Sequence, residues 1–123
     1  MRRILVTGSR LWEDYDAVDR EIFNAIHDHP HEPSIIVHGG CKSGADWFAD
    51  RVCIAHGIPR ETHPVEWRPY GIYNPQAGLA RNRKMVELGA NLCLAFIRAG
   101  SPGASHCARL AEEASIETRR FTA

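Results

Sequence analysis

Hydrophobic positions along this chain follow two rhythms in turn. Ile4 to Thr7 is a short apolar run of strand type, stopped by Gly8-Ser9-Arg10. Asp14 is placed to cap a helix, with Asp16 favourable in its first turn. Val18, Ile22, Ala25 and Ile26 then recur at helical spacing and give one buried stripe. The segment from His27 to Pro33 stops that helix. Ser34 to His38 is β-branched and reads as a second strand before Gly39-Gly40. A second helix is predicted over Gly44 to His56, with Ala45, Phe48, Ala49, Val52 and Cys53 on one face and Gly57 at its end.

Pro59 and Pro64 confine any strand between Ile58 and Val65 to a few residues. Glu66 to Gly78 is a polar and aromatic loop. A third helix is expected from Leu79 to Leu88, ending at Gly89, and a strand buried on both faces from Asn91 to Phe96. Gly100-Ser101-Pro102-Gly103 opens a fourth helix carrying Ala108, Leu110, Ala111 and Ala114. Ile116 to Phe121 is polar enough for an edge strand. This alternation predicts an α/β domain: a mostly parallel sheet of about five strands with helices on both faces.

Composition narrows the class. The 123 residues suit a single domain spanning 1–123, able to build a core without staples. Lys plus Arg and Asp plus Glu are both 15, so the net charge is zero, which argues against duplex nucleic acid as the main partner. No apolar run approaches the ~20 residues of a membrane span. The first residues break at Gly8 before they could form a signal-peptide core. Cys41, Cys53, Cys93 and Cys107 show no CxxC spacing and read as reduced thiols of a cytoplasmic protein.

Three glycine-containing loops follow three apolar strands: Gly8-Ser9-Arg10, Gly39 to Gly44, and Gly100 to Gly103. In an open parallel sheet these loops share one rim, where ligands bind. Glycines let the backbone approach a ligand, and the helix N-termini that follow offer N–H groups to an anion. Arg10 and Lys42 stand beside two of the loops. None is a P-loop, and no strand-adjacent GxGxxG is present.

Val6-Thr7-Gly8-Ser9-Arg10 with Trp12, His38-Gly39-Gly40 with Gly44-Ala45-Asp46, and Arg81-Asn82 with Met85 together resemble the YspA/YpsA-like branch of the SLOG superfamily, over nearly the whole chain. The resemblance implies a Rossmann-like, doubly wound fold and a small bacterial or phage protein. It also implies a bound nucleotide or nucleotide derivative, such as an ADP-ribose-like molecule, and a homodimer. It is shared with LOG-type phosphoribohydrolases, which cleave the N-glycosidic bond of nucleoside monophosphates. In those the fourth-strand loop reads Pro-Gly-Gly-x-Gly-Thr-x-x-Glu. Here Ser101 replaces the middle glycine, Ala104 the threonine and Cys107 the glutamate, while the arginine has a counterpart in Arg81.

The expected ligand-binding set is therefore Gly8, Ser9, Arg10, Gly39, Gly40, Lys42, Gly44, Asp46, Arg81, Asn82, Gly100, Ser101 and Gly103. Arg81, Arg83 and Lys84 lie at the expected start of the third helix, where cations oppose the helix dipole. A ligand phosphate would offset that cost, so Arg81 is expected to reach a phosphate and to matter little for the stability of the free protein. Asp46, in a first helical turn, suits ribose hydroxyls or the helix itself. Asp46 and Glu66 are the candidate acids of a hydrolase. Trp67, Tyr70, Tyr73 and Trp12 can stack on a base or fill the core. His38 can contact ligand or brace its loop. His27, His29 and His31 lack the companion spacing of a metal site, so no metal and no cofactor are expected.

Three functions compete: a module that senses or sequesters a nucleotide-like molecule, a hydrolase of such a molecule, and a single-stranded DNA protein. The missing glutamate favours the first over the second, and the balanced charge disfavours the third.

Overall fold

Residues 1–99 and 101–123 are described in a computed structural model of the chain. The elements run β1 (Arg2–Gly8), α1 (Tyr15–His27), β2 (Ser34–His38), α2 (Gly44–His56), β3 (Arg60–Thr62), α3 (Ala77–Glu87), β4 (Leu92–Ile97), α4 (Pro102–Glu113) and β5 (Glu117–Thr122). The strands form one all-parallel sheet in the order β3-β2-β1-β4-β5. The parallel sheet expected from the alternation and the doubly wound, Rossmann-like arrangement implied by the resemblance are the ones observed.

Side-chain alternation along β1 assigns the helices to their layers. Ile4 and Val6 point to one face and are buried with Val18, Ile22 and Ala25 of α1 and Ala45, Ala49 and Val52 of α2. Leu5 points to the other, with Met85 and Val86 of α3 and Cys107 and Ala111 of α4. Burying each of these larger aliphatic side chains contributes roughly 1.5–3 kcal/mol. Trp12 belongs to the core: it is 5% exposed, meets Phe96 edge-on at 5.4 Å and donates its indole N–H to the Asp14 carbonyl at 2.9 Å.

Several boundaries differ from the sequence reading for identifiable reasons. β1 begins at Arg2, because that guanidinium is buried and donates to the Ala25 carbonyl at 2.6 Å, so a charged residue extends an apolar strand. α3 begins at Ala77 rather than Leu79. Asn74 starts it, accepting the Gln76 N–H on its side chain at 3.0 Å and the Ala77 N–H on its carbonyl at 3.2 Å. Arg81 consequently lies in the second turn, not at the helix start. Asp14 caps α1 as expected, accepting the Ala17 N–H at 3.0 Å. Among the described residues no helix is long and apolar enough to cross a membrane.

The chain winds from β1 outward to β3, then returns across the sheet to β4 and winds the other way. The direction reverses between β1 and β4, and this leaves a crevice at their C-terminal ends.

Candidate functional site

Ser9 ties the crevice together. It is 3% exposed. Its N–H donates to the Phe96 carbonyl at 2.9 Å, its hydroxyl accepts the Arg98 N–H at 2.8 Å, and its carbonyl accepts the Ala45 N–H at 3.2 Å. The β1 loop is thereby pinned to β4 and to the start of α2. Gly44 makes this approach possible: its φ is +69°, and a Cβ there would run into the Ser9 carbonyl oxygen.

The loop between β2 and α2 is held from every side. The His38 ring accepts the Gly40 N–H on Nδ1 at 3.0 Å, which places the ring proton on Nε2, donated to Asp50 at 3.0 Å. His38 is buried and braces its loop. Arg81 reaches the loop from α3, donating from Nη1 to the carbonyls of Gly39 at 2.6 Å and His63 at 3.0 Å, and from Nε to Asn82 at 3.0 Å. Asp46 approaches Gly39 from α2 and accepts the Cys41 N–H at 3.4 Å. A Cβ on Gly39 would collide with the Arg81 guanidinium and lie 2.9 Å from Asp46 Oδ2. Burial pushes the Asp46 carboxyl above the usual carboxylate range, partly offset by the Arg81 charge and the Cys41 N–H.

The loop between β4 and α4 is left much freer. Ser101 precedes the helix, but its side chain makes no capping bond, and Pro102 has no N–H to satisfy. Open space lies in front of Gly103. Ala99, at the end of β4, is held at φ +49°, a conformation that L-residues seldom adopt. Arg98 extends from the same strand end, bonded to the Leu11 carbonyl at 2.9 Å and to the exposed Glu13 at 3.0 Å.

These loops enclose a cleft of about 790 Å³, a size that suits a nucleotide-scale ligand. Gly8, Ser9 and Arg10 line it from the end of β1, Gly39 from the second loop, Asp46 from α2, Arg81 and Asn82 from α3, and Ser101 and Gly103 from the start of α4. Gly40 and Lys42 turn away to a second groove beside β3. Gly44 is buried beneath the β1 loop, and Glu66 is exposed outside the lining of either. Gly100 lies outside the described residues. Arg98 lines the cleft and was not singled out from the sequence. The same signal that marked Arg10, a cation directly after an apolar strand, was there to find it.

Cys107, at the position of the hydrolase glutamate, is fully buried on α4, and burial pushes its thiol up, so it offers no thiolate at neutral pH. All four cysteines are unpaired. Among the described residues no group of three His, Cys, Asp or Glu side chains is placed to hold a metal ion.

A doubly wound parallel sheet with glycine loops around a crevice at its reversal point defines a Rossmann-like α/β protein. The chain belongs to the YAcAr family (the YspA, cpYpsA-related SLOG family), whose family model matches residues 2–70. It is also similar to the "Gene 61 protein" of Mycobacterium phage D29, at 38% identity over 126 residues, covering 98% of this chain and 97% of the relative.

Proposed function

We propose that the cleft captures a nucleotide-derived, phosphate-bearing molecule of the ADP-ribose kind and holds it uncleaved, as a sensor or sequestering module. The observation that carries this reading is the contrast between two helix starts facing one cleft. At α2 the Ala45 N–H is taken by the Ser9 carbonyl and the preceding Cys41 N–H by Asp46, so these donors are not open to an anion. At α4, among the described residues, the Ser101 side chain makes no capping bond, Gly103 is open, and Arg98 and Arg10 line the same cleft. A phosphate there gains backbone N–H donors, the helix dipole and two guanidinium groups. Following the family resemblance, the working form is taken to be a cytoplasmic homodimer.

The reading is tested by incubating the purified protein with AMP, NAD and ADP-ribose, then denaturing it and separating the products. Intact ligand recovered in stoichiometric amount is the expected result, and turnover would overturn it.

One observation favours a second reading, N-glycosidic hydrolysis. Asp46 lines the cleft with a raised carboxyl pKa, as a general acid requires. Against it, a charged carboxylate is what a developing positive sugar needs, and burial opposes that charge. Hydrolysis of AMP that disappears in Asp46→Asn would establish the second reading.

A further inference from the structure

Three arginines lie over aromatic rings, and one pair differs from the rest. Arg51 sits 4.1 Å from the centroid of Trp47, a closed contact on the surface. Arg68 sits 5.4 Å from Tyr73. Arg10 sits 5.9 Å from Trp67, and this pair lines the nucleotide cleft. Two planar groups in contact are separated by about 3.5 Å, so a flat ring between them needs about 7 Å. The Arg10 Cζ lies within cation–π reach of the Trp67 ring, so Arg10 must swing off that face before a third plane can enter.

The two leaves differ in how they are held. Trp67 is fixed: its carbonyl accepts the Asn74 N–H at 2.7 Å, Tyr73 stacks alongside it at 6.3 Å and 27°, and its Cη2 rests 3.1 Å from where a Cβ on Gly78 would stand. Arg10 is exposed and, among the described residues, makes no hydrogen bond or ion pair. One wall is thus aromatic and packed on its neighbours, and the other is cationic and unpaired among the described residues.

We infer that Trp67 and Arg10 form the seat for the planar base of a nucleotide, with Arg10 swinging back to close over it. This rests on the proposal that the cleft takes a phosphate-bearing nucleotide, and it assigns the base to the wall formed by the 66–78 loop. Stacking on Trp67 tolerates either purine, because every base has a π-face.

Titration of the whole protein with AMP and with ribose 5-phosphate separates the two ideas, since the second probe keeps the phosphate and lacks the base. The wild type should bind AMP more tightly. Trp67→Leu, which keeps apolar bulk against Gly78, should weaken AMP by roughly 10- to 100-fold and leave ribose 5-phosphate unchanged, and Trp67→Phe should restore most of the loss. A wild type that binds both probes equally, or a Trp67→Leu variant that weakens both equally, would overturn the stacking seat while leaving the phosphate reading in place. A wild type that binds neither would overturn both.

Discussion

The β2–α2 loop and the β4–α4 loop have the same sequence character and opposite physical states. Both follow an apolar strand, both carry glycines, and both open a helix. The first is tied by His38, Asp46 and Arg81, so the Gly40 and Cys41 N–H groups and the Gly39 carbonyl are already matched within the protein. In the second, among the described residues, Ser101 makes no capping bond, as Ser43 makes none at α2, but Gly103 faces open space beside the cleft. The difference teaches that a glycine loop on the ligand rim can serve as scaffold or as receptor. The surrounding side chains decide which.

The largest effect should come from cutting the tie. Arg81→Ala leaves the Gly39 and His63 carbonyls without their charged donor. It should cost about 1.5–3 kcal/mol in chemical denaturation of the free protein. This reverses what the sequence suggested for Arg81, because that argument placed it at a helix start. An unchanged denaturation midpoint would return Arg81 to a purely ligand-binding role.

A smaller effect concerns the strand end that Arg81 grips. Arg3 forks onto Glu61 at 2.8 and 3.0 Å, and His63 meets the same carboxylate at 2.7 Å. Hydrogen bonds from Arg3 and then from His63 hold the Glu61 pKa down to about 2, against an ordinary value of 4.5. A depressed carboxylate contributes its stability above pH 4.5 and loses it as pH falls towards about 2. With Glu61 about a third exposed, solvent screening limits the contribution to about 1 kcal/mol or less. Denaturation midpoints measured down that acid range should fall in the wild type and fall less in Arg3→Met. Parallel curves would show that the fork adds nothing.

The smallest effect tests the untied loop. Asp14→Ala removes a working cap from α1 and should cost about 1 kcal/mol. Ser101→Ala removes none from α4 and should cost under about 0.5 kcal/mol. Equal losses in the two variants would mean that Ser101 does cap α4, and the β4–α4 loop would not be open to an anion as described.

Much of this architecture was legible in the residues. β2 and α2 begin and end where the β-branched run, Gly44 and Gly57 place them, because apolar period and turn chemistry agree there. The ends of β1 and α3 were hidden. A buried Arg2 looks like a surface residue, and Gly78 in the first turn of α3 masks the start that Asn74 provides. Strand-end glycines and cations pointed to the rim where the cleft lies. Pattern alone could not separate Trp12, packed on Phe96, from Trp67, lining the cleft. Nor could it show that Arg81 would bind carbonyls, since that depends on where the β2–α2 loop and the end of β3 meet in space. The missing hydrolase glutamate was visible as Cys107, but its burial beneath the cleft was not.

The central position of β1 also sets a timetable. Ile4 lies beside Ile36 on one side and beside Leu92 on the other, so the first strand made waits for one of the last before its second edge is paired. Contacts so distant along the chain form slowly and leave a strand edge open while the polypeptide is still emerging from the ribosome. The crevice between β1 and β4 cannot exist until that edge closes. Occupancy of the cleft is therefore possible only for a chain that has completed its sheet, and any ligand held there selects finished molecules over partly folded ones.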